Sequence, residues 1–151
     1  MSFPFRIPAA LLLMSAGLSA TGPAAARNTV LHIPLADVLA MPEAQGKLDP
    51  AFRFFLAGQA TPKVLKRFST DVSNPKTNGM GKSDEFGCKW AALSALINLQ
   101  NSAKRESANA VVDIVSDYKK VEYRSATDFE CHAGALIIGV ALKGTYAEVA
   151  K

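Results

Sequence analysis

The chain of 151 residues has only two cysteines and two histidines, which leaves few ways to build a metal site or a nucleophilic centre. Its cysteines, Cys88 and Cys131, are too far apart for the CxxC pair of a thioredoxin-like oxidoreductase, and no zinc-like Cys/His spacing occurs. The G-x-S-x-G segment of an α/β-hydrolase is also missing. Without a convergent catalytic set, we expect a non-enzymatic protein that carries no cofactor.

A nucleotide-binding loop is incomplete in this sequence. Gly81-Lys82-Ser83 resembles the end of the pattern G-x-x-x-x-G-K-S/T, but Lys76 stands where the first glycine is required. The preceding segment is polar rather than a buried strand, which argues against nucleotide hydrolysis. We interpret residues 79–83 as a loop ending in a helix cap, and a weak anion site from free amides stays open.

What the sequence does contain is a segment typical of a secretory signal peptide at residues 1–26. A basic start precedes an apolar run from Ile7 to Ala20 and a small-residue end at Ala26. We therefore expect cleavage after Ala26, a single periplasmic domain at 27–151, and no membrane span after cleavage. No cysteine stands at the expected cleavage site, so a lipoprotein is not expected. An uncleaved signal that serves as an anchor stays open.

Charge and composition favour a folded domain rather than a nucleic-acid-binding protein. The net charge is +4, and 49% of the residues are hydrophobic, which is too apolar for disorder. Basic residues form three short groups, at 63–67, 104–105 and 119–120, which we interpret as solvated faces. Contact with anionic lipid or polysaccharide stays open. Basic and aromatic residues do not interleave, so nucleic acid is not an expected partner.

Export makes Cys88 and Cys131 expected disulfide partners. Cys88 lies at the start of a predicted long helix and Cys131 precedes the last predicted strand, so the bond would join helix to sheet. The alternative is a thiol-redox or metal-binding protein that uses both cysteines and His132, because a helix N-terminus lowers the pKa of a thiol. Neighbouring residues on a strand face opposite ways, which leaves His132 a weak metal candidate.

Three further residues are candidates for acid–base chemistry. His32 lies in a predicted apolar strand, where we interpret it as a structural residue. Alternation along 110–118 predicts Val112 and Ile114 on one face and Asp113 and Asp117 on the other. A solvated edge is the simpler interpretation of the two aspartates.

Hydrophobic periodicity predicts an α+β fold. Strands are expected at 29–34, 51–57, 63–72, 110–118, 120–126 and 133–143, helical turns at 35–41, a loop at 73–81, and a long helix at 85–106 capped by Ser83 or Asp84. The strand 51–57 is expected to place on one face Phe52, Phe54 and Leu56. The helix is expected to carry an apolar stripe of Leu93, Leu96, Ile97 and Ala103, widened by Ala92 and Leu99. We expect a two-layer sandwich with the long helix packed on a mainly antiparallel sheet, as a β–α–β–β core with extra N-terminal strands. The small-residue face of 133–143 leaves a homo-oligomer open.

Three segments carry a resemblance to known families. They are GCKWAALSAL at 87–96, ANAVVDI at 108–114 and ECHAGA at 130–135. Together they resemble a family of small exported bacterial proteins that bear the label "excinuclease ATPase subunit". That label disagrees with the chain, which lacks a complete phosphate-binding loop and CxxC pairs.

A more distant resemblance rests on the long helix, the ANAVV strand and the final small-residue strand. They are similar to the dodecin-like domain of the YbjQ family and to the Rcs stress-sensor lipoprotein. This resemblance implies a two-layer β–α–β–β core, and it carries over no catalytic residue. We therefore expect an exported binding or interaction domain of the bacterial cell envelope, with an envelope protein or a small ligand as its partner.

Overall fold

The computed structural model describes residues 26–151, so the predicted signal peptide lies, apart from Ala26, outside the described residues. The described chain contains nine strands, two α-helices and one 3-10 turn. In chain order they are β1 (Thr29–Pro34), α1 (Leu35–Leu39), the 3-10 turn (Pro42–Ala44), β2 (Arg53–Leu56), β3 (Val64–Ser73), β4 (Lys76–Asn78), α2 (Asp84–Arg105), β5 (Ala110–Tyr118), β6 (Val121–Tyr123), β7 (Asp128–Ala133), β8 (Ile137–Gly139) and β9 (Leu142–Val149).

The strands form two sheets that both pack on α2, and the predicted α+β class is confirmed. One sheet has the order β1-β7-β8-β4 and is antiparallel throughout. The other has the order β2-β5-β9-β3, with β6 paired to β5, and β2 and β5 are its parallel neighbours. No helix within residues 26–151 has the length and hydropathy needed to cross a membrane.

The long helix begins and ends close to its predicted bounds because its sequence carries both termini. The Ser83 hydroxyl accepts a hydrogen bond from the Phe86 amide at 3.2 Å, so the predicted cap is confirmed. Lys104 and Arg105 lie in the last turn, where they complement the helix dipole. The predicted apolar stripe is buried at Leu93, Leu96, Leu99 and Ala103.

The predicted single strand at 133–143 is wrong. Strand β7 already contains Cys131, and the chain turns back through Gly134, whose amide donates to the Ile137 carbonyl at 2.8 Å. After β8, the chain leaves the first sheet and enters the second as β9. The continuous apolar run suggested one buried strand. It instead contains two strands, each of which lies between two neighbours in a different sheet.

The predicted loop at 73–81 contains strand β4, and its interpretation as a loop was wrong for residues 76–78. Thr77 pairs with Ile138 of β8. The strand lies at the outer edge of its sheet, where polar side chains remain in contact with solvent. Its composition therefore resembles that of a loop.

The predicted alternation along β5 is wrong beyond Val112, because the strand contains a bulge at Asp113. Asp113 has a φ of 55°, and the pairing of β5 with β9 shifts register between Val112 and Val115. As a result Val111 and Ile114 both lie in the main core, whereas Val112 packs in a smaller cluster on the other face. A strict period of two had placed Val112 and Ile114 on the same face.

Tyr146 makes the free energy of unfolding depend on pH in the alkaline range. Tyr146 is 1% exposed and donates a hydrogen bond to Asp71 Oδ2 at 2.7 Å. Burial and, next, this hydrogen bond raise the pKa of Tyr146 from 10.0 to about 12. The folded chain then keeps a proton that the unfolded chain releases, so this contribution is complete below about pH 10 and is lost as the pH rises to about 12.

We therefore expect Tyr146→Phe to lose stability less steeply than the wild type between about pH 10 and about pH 12. Urea unfolding at several pH values measures the two slopes. Parallel curves for Tyr146→Phe and the wild type would contradict the assignment.

Candidate functional site

The structure joins Cys88 of α2 to Cys131 of β7, with 5.8 Å between their Cα atoms. The predicted pairing is confirmed. Both residues are fully buried in the main core, beside Phe129 and Ala92. The bond therefore ties the helix to the first sheet from inside the core, out of reach of solvent.

Two histidines and a glutamate lie together on the outer face of β1 and β7. His32 pairs directly with Glu130 across the two strands. The Glu130 carboxylate lies 2.8 Å from His132 Nε2 through Oε1 and 3.3 Å from His32 Nε2 through Oε2. The His132 ring stacks on Tyr118 at 3.7 Å and the His32 ring stacks on Tyr123 at 4.2 Å, between ring centroids. The cluster thus links the first sheet to the β5–β6 hairpin.

This histidine cluster was missed in the sequence because His32 and Glu130 are 98 positions apart. Among residues 26–151, no group of three or more His, Cys, Asp or Glu side chains is arranged to hold a metal ion. Cys131 faces the core and is bonded to Cys88, whereas His132 faces outward. The structure therefore does not bring the three residues of the thiol or metal alternative into one site.

The candidate acid–base residues do not converge either. Asp113 accepts a hydrogen bond from Arg67 Nη1 at 2.7 Å, and both side chains are about half exposed. His32 contacts Glu130 instead. In the described part of the chain these residues form separate surface contacts. Lys82 lies on the loop before α2, and its Nζ is 3.4 Å from Oγ1 of Thr77 in β4.

A cleft of about 740 Å³ lies beside β2 and is called the β2 cleft below. Its walls are the end of α1, the segment 44–50, β2 and the C-terminal half of α2. Phe52 and Phe54 share a face, as the period of two predicted for 51–57, and both line the cleft. Phe55, Leu39 and Leu48 complete the apolar lining. Its volume falls within the range of about 300–1,000 Å³ that is usual for small-molecule sites.

A buried glutamine holds the outer wall of the β2 cleft in place. Gln100 of α2 accepts a hydrogen bond from the Asp49 amide at 2.8 Å and donates one to the Lys47 carbonyl at 3.3 Å. Gln100 is 4% exposed, so it fixes the segment from beneath. Gly46 has a φ of +78°, which a glycine adopts without strain and which turns the segment back toward β2.

Three cations and one carboxylate line the β2 cleft. Lys104 Nζ lies 2.6 Å from Asp49 Oδ2, and this hydrogen bond, followed by that from the Ala51 amide, lowers the pKa of Asp49. Arg53 Nη2 donates to the Ala150 carbonyl at 2.6 Å. Lys47 Nζ lies 5.0 Å from the centroid of the Trp90 ring. The rim of the cleft is therefore net positive.

The alternation of 51–57 predicted that Phe52 and Phe54 share a face, but it predicted neither the β2 cleft nor its charged rim. Lys104 was interpreted as part of a solvated group that complements the helix dipole. Lys47 and Arg53 were not singled out, because each is an isolated charge in the sequence. Only folding brings the three to one rim.

A smaller cavity of about 330 Å³ lies near the histidine cluster, lined by Arg27, Lys76, Lys119 and His132 among others. Arg27 forms hydrogen bonds to both carboxylate oxygens of Asp84, at 2.7 and 3.1 Å. It also donates to the Gly134 carbonyl at 2.9 Å. Its volume is less than half that of the β2 cleft, so the cavity is the weaker candidate.

In comparisons with known proteins, no family model, no curated protein and no solved structure matches this chain. The function has to be inferred from the geometry of the chain's own residues.

Proposed function

We propose that the chain is an exported, non-enzymatic binding domain of the bacterial cell envelope that holds a small ligand in the β2 cleft. The observation that carries the proposal is the cleft itself: about 740 Å³, with an aromatic floor, a wall fixed by Gln100 and a cationic rim. Small-molecule sites share this plan of apolar lining with a few placed polar groups. The histidine cluster and Asp113 lie outside the cleft and form separate contacts.

The proposed location in the periplasm is supported by the signal-like segment 1–26 and by the disulfide. Disulfides persist in oxidising compartments such as the bacterial periplasm. The resemblance of 87–96, 108–114 and 130–135 to small exported bacterial proteins points the same way and is itself a proposal. The more distant YbjQ-like resemblance is also a proposal.

The alternative, a thiol-redox or metal-binding protein using Cys88, Cys131 and His132, has less support. Reactive cysteines lie in partly exposed, electropositive surroundings. Cys88 and Cys131 are instead fully buried among apolar side chains. Such burial favours a structural bond.

An envelope protein or a second copy of the chain is a further proposed partner. Several large apolar side chains are exposed on neighbouring segments at the start of α2 and around the β7–β8 turn. They are Met80, Phe86, Leu136 and Ile137.

Native mass spectrometry of protein purified from the periplasm tests the proposed ligand. We expect the wild type to carry a bound small molecule that is released on denaturation. Leu39 lines the cleft and is 38% exposed, so Leu39→Trp places a bulky indole ring at its mouth. We expect this variant to lose the bound molecule. Leu65→Trp changes an exposed leucine of β3, outside the cleft, and should keep it.

A bound molecule that both tryptophan variants keep would place the ligand outside the cleft and contradict the proposal. The same spectra test the redox alternative. If denatured protein takes up a thiol-alkylating reagent at Cys88 and Cys131, the cysteines are free and the alternative gains support.

A further inference from the structure

The apolar part of the β2 cleft suits a hydrocarbon chain. Phe52 and Phe54 come from one face of β2, and Leu48 lies on the segment opposite. Both phenylalanines are 7% exposed, so only part of each ring borders the cleft, and Leu39 and Phe55 add to the apolar lining. Burial of methylene groups against apolar side chains is favourable.

The charged part of the cleft suits a negative group. Among the cleft-lining side chains of the described residues, Asp49 is the one carboxylate, and it is held by Lys104 and the Ala51 amide. Arg53 uses only Nη2 in a hydrogen bond within residues 26–151, and its fork has five N–H donors. Guanidinium groups bind carboxylate and phosphate by two parallel hydrogen bonds.

We infer that the β2 cleft binds a single-chain amphiphile with an anionic head group, with the chain on Phe52 and Phe54 and the head at Arg53 and Lys104. This inference rests on the proposed function, since it names the ligand class of the same cleft. A carboxylate and a phosphate head share the required chemistry. Neutral and cationic amphiphiles of the same chain length lack it.

Isothermal titration calorimetry with four ten-carbon probes below their micelle concentrations tests the inference on the full chain purified from the periplasm. Before titration, bound molecules are removed by delipidation. The probes are decanoate, decyl phosphate, decyl maltoside and decyltrimethylammonium. We expect the two anionic probes to bind at least about tenfold more tightly than the other two, because charge-assisted hydrogen bonds are stronger than hydrogen bonds between neutral groups. The ratio of decanoate to decyl phosphate distinguishes the two kinds of head.

The double variant Arg53→Gln/Lys104→Gln removes the two head contacts. It should weaken decanoate binding by about tenfold or more while leaving decyl maltoside nearly unchanged. Lys66→Gln/Arg67→Gln removes the same charge from β3, outside the cleft, and should bind like the wild type. Urea unfolding of each variant shows whether the fold is retained. A second variant, Arg53→Lys, keeps the positive charge but lacks the guanidinium fork. Its affinity for decanoate should lie between those of the wild type and the double variant.

If all four probes bind equally well, and the double variant binds them as the wild type does, the proposed anionic head group is wrong. The proposal that the cleft binds a ligand would still stand. Equal loss of affinity in the matched β3 variant would overturn the assignment to Arg53 and Lys104. Binding of no probe, by a protein that native mass spectrometry shows to carry another ligand, would overturn the amphiphile but not the proposed function.

Discussion

Replacing both cysteines, Cys88→Ala/Cys131→Ala, is expected to lower the free energy of unfolding by about 4 kcal/mol. The bond spans 43 residues, and restricting the unfolded chain over a loop of that length gives about this value on the chain-entropy treatment. Domains of this size are stable by only about 5–15 kcal/mol. Alanine is chosen because a serine hydroxyl would be left unpaired in this fully buried position.

Urea unfolding of the wild type and the double variant, each with and without a reducing agent, measures the contribution of the bond. The reduced wild type should unfold close to the double variant, and the double variant should not respond to reduction. A difference below about 1 kcal/mol would contradict a stabilising role for the bond.

Replacing Gln100 by methionine is expected to cost about 2 kcal/mol and to abolish binding in the β2 cleft. Methionine keeps the approximate length of the side chain but cannot bond to the Asp49 amide or the Lys47 carbonyl. Each backbone group that loses its partner costs about 1–3 kcal/mol while it stays buried, and less where water reaches it. The freed segment would then no longer hold a fixed wall opposite β2.

The matched control is Asn101→Met, an exposed change on the next residue of α2. It should leave both stability and binding within about 0.5 kcal/mol of the wild type. Urea unfolding and calorimetry with decanoate give the two values for each variant. Full binding by a folded Gln100→Met would show that the segment needs no such support.

The elements that the sequence predicted well are those whose signals are local. The long helix carries its own cap at Ser83 and its stripe of leucines, and β2 shows its buried face through Phe52, Phe54 and Leu56. The pairing of the two cysteines was predicted from their number and from the expected export of the chain. These features depend on residues that are neighbours in the sequence.

What could not be predicted depends on contacts between distant residues. The cleft wall is held by Gln100 from 51 positions away, and the Glu130 amide bonds to the hydroxyl of Ser116 on another strand. The bulge at Asp113 reverses the faces of β5, and its φ of 55° is not written in the local pattern. Periodicity gives no information on such contacts. It also gives none on the cationic rim of the cleft, whose residues come together only in the folded chain.

A crystal structure of the protein purified from the periplasm, without delipidation, tests the central claim most directly. We expect elongated electron density in the β2 cleft, with its narrow part on Phe52 and Phe54 and its polar end at Arg53 and Lys104. A cleft that is closed, with the segment 44–50 packed against β2 and no density between them, would contradict it.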